Sequence, residues 1–355
     1  MKSRILNIGL LFLTAIIWGF AFVAQVDGVK YIGSFTLNGV RFCIGALSLI
    51  PVVLFFERGR ETRERRKKTV ISSIIAGTVL FCASTFQQIG IEMTGSAGVA
   101  GFITGLYMVL TPVACLIFFR KKTGINVWIG AFLGLVGLFL LCYKVGEGFS
   151  FGVGELLLLI GSLFWTAHVI LIDRFSKELR PLHFSLGQFT VCAVLGVISM
   201  FIFEEPTFSG IWDAKWALLY CGVLSVGIAY TLQVVAQKNA DPTFASIVLS
   251  TESVFSAVGG AIFGIDSIGA LGYVGCVIMF AGIIVSQITF KIKKSKKNKA
   301  HKSNRTRPAS GSRVFSHGSA ACRTLLPFRN CSVQTANGRH SAGYVSKISG
   351  KGVPR

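Results

Sequence analysis

The chain has 355 residues, of which 52% are hydrophobic and 14% charged, with a formal net charge of +21 and a mean hydropathy of +0.65. Water-soluble globular domains do not have this composition; polytopic membrane proteins do. The charge is not a nucleic-acid signature, because residues 291–355 hold 16 of the 36 Lys and Arg residues and no Asp or Glu.

A bilayer crossing needs about 20 mostly apolar residues for about 30 Å of hydrocarbon. Ten segments qualify, near 5–24, 33–56, 70–90, 95–119, 126–143, 152–172, 183–203, 216–236, 242–263 and 270–290. The first follows Lys2 and Arg4 as a secretory leader would. Its apolar run is long, however, and Phe22 stands where a cut after Ala24 would need a small residue, so it is expected to be kept as a span. On this segment Trp18, Phe22 and Gln25 share one helical face. The second segment carries Arg41 well inside it, and the third carries Gln87 and Gln88. The fourth and fifth show Gly98, Gly101 and Gly105, then Gly130, Gly134 and Gly137, at spacings that let helix backbones approach closely.

The sixth segment repeats an aromatic and a polar group on one face with Trp165 and His168, and the eighth carries Gln233. Glu252 is the only carboxylate near the middle of a span, within Leu249-Ser250-Thr251-Glu252-Ser253. The tenth segment shows Gly272, Gly275 and Gly282. Trp18 and Trp165, Gln87 and Gln233, and the glycines of the fifth and tenth segments recur about 146 positions apart. Two sets of five crossings enter the bilayer from opposite sides, which predicts an all-α integral membrane protein of ten transmembrane helices in two inverted five-helix repeats. The repeats are placed at 1–145 and 146–290, followed by a basic, disordered cytoplasmic tail over 291–355 that meets anionic headgroups.

Lys and Arg set the orientation. With the N-terminus inside, the cytoplasmic segments hold the run from Arg58 to Lys68, then Arg120, Lys121, Lys122, Arg174, Lys177, Arg180 and Lys238, while the outer loops hold only Lys30, Lys144 and Lys215. Both termini are therefore expected in the cytoplasm of a multi-pass cell-membrane protein. The nine cysteines are scattered without a Cys-x-x-Cys pair, so neither a metal site nor a disulfide framework is expected, and no cofactor is called for. No phosphate-binding loop, His-Glu-x-x-His or Ser-His-Asp set argues for an enzyme.

Charges at depth cost several kcal/mol and mark candidate functional sites. Glu252 is suited to carry a proton or meet a cation, with a buried ion pair or hydrogen-bonded acid as the alternative, and Arg41 to meet Glu252 or an anionic substrate, with a stem that snorkels to the interface as the alternative. Gln87 and Gln233 either bond substrate or bridge helices. Trp18 and Trp165 either face a central path or belong to an interfacial belt. His168 joins the list as a group able to titrate near neutrality, with a satisfied packing role as the alternative.

The layout resembles the drug/metabolite transporter superfamily and the EamA family within it. The resemblance rests on Trp18-Gly19, Arg41-Phe42, Gln87-Gln88-Ile89-Gly90, Thr94-Gly95-Ser96-Ala97, Thr111-Pro112-Val113 and Trp128-Ile129-Gly130. In the second half it rests on Gln237-Lys238-Asn239-Ala240, Glu252-Ser253-Val254-Phe255 and Gly272-Tyr273-Val274-Gly275. It covers about residues 5 to 290. The family usually shows Glu-Pro-Val where this chain has Glu252-Ser253-Val254, and Gly-Glu where it has Ile265-Asp266. Ser in place of Pro removes a backbone break, so the ninth helix is expected to be straighter. The resemblance implies a secondary transporter that exports a small metabolite or amphipathic compound, in exchange for protons, by alternating access; a homodimer is compatible with it. Two other readings stay open: a scaffold or sensor acting through the basic tail, and a lipid flippase.

Overall fold

The computed structural model describes residues 2–59, 61–120, 123–143, 152–266 and 269–287, and the expected basic tail lies outside these residues. Among the described residues every regular element is helical. The long helices are α1 (Lys2–Gly28), α2 (Ser34–Phe56), α3 (Arg63–Thr94), α4 (Ala97–Phe119) and α5 (Ile125–Cys142). They continue as α6 (Val153–Ser176), α7 (Pro181–Phe203), α8 (Lys215–Gln237), α9 (Pro242–Ile262) and α10 (Ala270–Gln287). Each expected segment falls on one of these helices. Eight of them are long and apolar enough to cross a membrane, whereas α5 and α10 have shorter apolar runs. Large apolar side chains such as Phe55, Phe118, Phe201 and Val277 stand exposed, as a lipid-facing surface requires.

Local chemistry sets the helix ends. Thr62 and Ser96 cap α3 and α4 by accepting from Arg65 N and Val99 N, and Gly95 ends α3 in the left-handed conformation at φ 61°. Pro181 and Pro242 open α7 and α9 at positions where the missing N–H costs nothing. At 32 residues α3 would span about 48 Å, longer than the hydrocarbon core, and its first turns carry Arg63, Arg65, Arg66, Lys67 and Lys68.

The two halves are interleaved. α1 packs against α8 and α9, and α6 packs against α3 and α4; α2 lies on α7, and α5 on α10. Each contact of α1 thus recurs in α6 with both helix numbers shifted by five, α1–α8 as α6–α3 and α1–α9 as α6–α4. The α2–α7 pair is antiparallel and closed at both ends by glutamates. Glu204, just past α7, accepts from Phe35 N and Thr36 N at 2.8 Å and from Thr36 Oγ1 at 2.6 Å at the start of α2. Glu57, just past α2, accepts from Leu182 N at 3.1 Å, His183 N at 3.0 Å and His183 Nδ1 at 2.6 Å at the start of α7. Each carboxylate satisfies amide groups that a helix start leaves without partners and meets the positive end of its dipole. The glycine stripes of α5 and α10 serve contact: a Cβ on Gly137 would stand 2.6 Å from the Gly275 carbonyl oxygen, and one on Gly130 equally close to that of Gly282.

Three helices depart from regular winding. α4 breaks at Leu106 between Ala97–Gly105 and Tyr107–Phe119, and α9 breaks at Ser250–Thr251 between Pro242–Leu249 and Glu252–Ile262. The break in α9 overturns the expectation of a straighter helix. Ser250 and Thr251 donate their hydroxyls back to the Ile247 and Val248 carbonyls, and the backbone tightens into i to i+3 bonds from Val248 to Val254, so hydroxyl competition interrupts the ladder without proline. Ser253, at the family's proline position, instead donates to the Gly101 carbonyl of α4 at 2.5 Å. In α8, Tyr220–Tyr230 winds as a π-helix, and two of its carbonyls accept from α1: Ser225 O from Trp18 Nε1 at 3.3 Å, and Ala229 O from Thr14 Oγ1 at 3.2 Å.

Candidate functional site

Where the broken helices, α1, α6 and the π-stretch converge, the chain leaves a narrow, partly open cavity of about 20 Å³, room for about one water molecule. Glu252 and Tyr107 line it as the first residues after the breaks of α9 and α4. Glu252 is 3% exposed, takes part in no ion pair among the described residues, and has the Tyr107 side chain beside its carboxyl. Such a carboxyl can be held neutral by a proton or ionised opposite a cation, and little else is tolerated at that depth.

An aromatic wall faces it. Tyr230 ends the π-stretch with its ring centroid 4.6 Å from Trp18 and 5.9 Å from Trp165, the latter nearly parallel at 13°. The two tryptophans are 6.2 Å apart and 8% and 5% exposed, so they sit inside the protein and not in an interfacial belt. Trp18 is anchored by its bond to Ser225 O, while Trp165 Nε1 has no partner among the described residues.

Arg41 reaches the cavity from α2. Its Nη1 donates to Gln25 Oε1 at 2.5 Å, and its guanidinium lies 5.4 Å from the Phe42 ring centre. Gln87 on α3 donates to Thr104 Oγ1 at 3.1 Å, so it does bridge to α4, yet it also lines the cavity. Gln233 on α8 lines it with neither amide atom bonded among the described residues.

Six of the seven residues named from sequence therefore border one cavity: Trp18, Arg41, Gln87, Trp165, Gln233 and Glu252. His168 does not. It lies one turn behind Trp165, fully buried, with Nε2 3.0 Å from Gln188 Oε1 and its ring against Trp165 and Tyr230. Tyr107 and Tyr230 escaped the sequence reading, since a tyrosine in an apolar span looks like core until the local winding is known. The signal available for Tyr107 was its place in the fourth segment, which matches that of Glu252 in the ninth.

The arrangement resembles known proteins along most of its length. An uncharacterized transporter of Archaeoglobus fulgidus is 28% identical over 280 residues, covering 77% of this chain and 83% of that one. The uncharacterized transporter YoaV of Bacillus subtilis is 24% identical over 288 residues, covering 79% and 96%. One solved crystal structure of a protein superposes with a TM-score of 0.64 at 19% identity, over 78% of this chain and 95% of that one, a likeness of fold. The EamA-like transporter family matches twice, over residues 5–143 and 152–287, in agreement with the span of the resemblance read from sequence. With both halves matched, this multi-pass membrane protein belongs to the EamA-like transporter family.

Proposed function

We propose that the chain is a secondary active transporter that moves a small metabolite or amphipathic compound outward across the cell membrane, in exchange for protons. Its ten crossings form two inverted five-helix repeats, over 1–145 and 146–290, with both termini in the cytoplasm. The observation that carries this reading is the cavity lined from both halves, with Glu252, which forms no ion pair among the described residues, at a helix break. Discontinuous helices at a repeat interface supply polar backbone to a mid-depth site, and rocking of one bundle against the other exposes it to each side in turn.

Glu252 is the proton or cation acceptor. Arg41, Gln87 and Gln233 supply polar contacts, Trp18 and Trp165 supply the flat apolar walls, and His168 supports Trp165 from behind. Proteoliposomes loaded with a pH-sensitive dye, given an imposed pH gradient and a panel of radiolabelled metabolites, test this. Wild-type protein should show solute flux that depends on the gradient, and Glu252→Gln should keep solute exchange but lose that dependence. Unchanged gradient dependence in Glu252→Gln would remove the residue from the coupling, and absence of flux for every solute would remove transport itself.

A further inference from the structure

Arg41 is 3% exposed, and its surroundings do not neutralise it. Its Nη1 is committed to Gln25 Oε1, while Nε and Nη2 are buried with no nitrogen or oxygen partner among the described residues, only the weakly accepting Cys221 thiol standing beside the guanidinium. These two nitrogens form one side of the planar guanidinium, whose parallel N–H groups match the two oxygens of a carboxylate or phosphate. The groups close to it are Gln25, the Cys221 and Cys192 thiols, Tyr230 and the Phe42 ring, all uncharged in their ordinary forms near pH 7. Among the described residues no carboxylate pairs with Arg41, and Glu252 on the same cavity forms no ion pair with it. A guanidinium buried in this way is costly unless an anion completes it.

The second half sharpens the point. Trp18 and Trp165 are 147 positions apart, as are Glu57 and Glu204, and the same offset carries Arg41 to Gln188. Gln188 is fully buried and bonded to His168, just as Arg41 is bonded to Gln25, so both halves place a polar pair between their first and second helices. Only the first half makes that pair cationic.

We propose that the Nε–Nη2 edge of Arg41 is the anchor for an oxyanion of the transported compound, which is a small organic anion whose apolar body lies against Trp18, Trp165 and Tyr230. Gln25 holds the guanidinium so that this edge, and not Nη1, meets the ligand. The proposal names a substrate class for the cavity and rests on the transport reading above, but binding can be measured without transport.

The purified full chain in detergent at pH 7 is titrated with benzoate, phenyl phosphate, benzylamine and benzyl alcohol, with tryptophan fluorescence and thermal unfolding as readouts. Benzoate or phenyl phosphate should quench fluorescence and raise Tm, and the stronger of the two identifies the oxyanion as carboxylate or phosphate. Benzylamine and benzyl alcohol should do neither. Arg41→Lys keeps the charge but loses the planar fork, and should raise the Kd for the preferred anion about 10- to 100-fold. If Arg41→Lys fails to fold, the wild-type ranking of the four probes still decides. Benzylamine or benzyl alcohol binding as tightly as both anions overturns the anion anchor, as does an unchanged Kd in Arg41→Lys. Flux of cationic or neutral solutes alone, with no anion binding, sinks the anchor and leaves transport standing. Anion binding without flux of any solute does the reverse.

Discussion

Gly33 and Glu204 offer a test of the glutamate cap in which the steric and electrostatic parts separate. Gly33 precedes α2 with φ −69° and ψ 168°, a conformation open to alanine, so Gly33→Ala introduces no backbone strain. A Cβ there would run into the Glu204 carboxylate itself, the end of a flexible side chain, and would push it off the Phe35 and Thr36 amides. Losing a side-chain cap costs about 1 kcal/mol, losing a negative charge at a helix start about 0.3–1 kcal/mol, and losing the Thr36 hydroxyl bond about 1 kcal/mol. Glu204→Ala is therefore expected to cost about 2–3 kcal/mol. Gly33→Ala should cost about 2 kcal/mol in the wild type but only about 0.5 kcal/mol in the Glu204→Ala background, where just the intrinsic Gly-to-Ala difference at a cap remains. Unfolding in mixed micelles by SDS titration, followed by tryptophan fluorescence, measures all four corners of the cycle. Equal costs of Gly33→Ala in both backgrounds would refute the argument, because the methyl group would then be acting on something other than Glu204.

The same unfolding assay checks four further expectations. Tyr230→Ala empties the space between Trp18, Trp165, Phe42 and Phe189 and should cost about 3–5 kcal/mol, while Tyr230→Phe keeps the ring and should cost far less. Gly137→Ala forces α5 off the Gly275 carbonyl and should cost about 1–3 kcal/mol. Asp266→Ala removes the carboxylate that accepts from Ser96 Oγ at 2.6 Å and Gly98 N at 2.7 Å at the start of α4, and should cost about 1–2 kcal/mol. Lys68→Ala should change stability by less than about 1 kcal/mol, because the Lys68–Glu178 pair is largely exposed. The Glu178 carboxyl is held below its ordinary value chiefly by its bond to Lys68, so what the pair contributes is present above the usual carboxylate range and fades as pH falls through the lowered value. The wild type and Lys68→Ala should therefore converge in acid.

The bilayer made the helices easy to read. A span must be apolar over about 20 residues whatever it packs against, so each of the ten segments was visible one at a time. Depth made the polar cavity residues visible too, for Arg41 and Glu252 have few tolerable neighbours anywhere in a membrane. What stayed hidden depends on partners far away in sequence. In sequence Glu204 is simply an acid just past an apolar segment, and its role exists only because α7 ends where α2 begins. The break in α9 needs no proline, the residue whose absence predicts a straight helix, because Ser250 and Thr251 compete for backbone carbonyls. His168 and Trp165 fall on one face of α6, yet of the two only Trp165 lines the cavity, since His168 is fully buried against the Trp165 and Tyr230 rings and bonded to Gln188.

The interleaving of the halves bears on how such a chain is made. A ribosome delivers α1 to α5 first, but α1 finds its neighbours in α8 and α9, α2 in α7, and α5 in α10. Spans made early are stable in lipid one by one and can wait there, with Arg41 still lacking its mature surroundings, until their partners arrive. Assembly is thus postponed to the end of synthesis. Residues 1–145 and 146–355 made as separate chains in one cell should be degraded singly and rescued by each other, as interlocking parts and not as two self-sufficient modules.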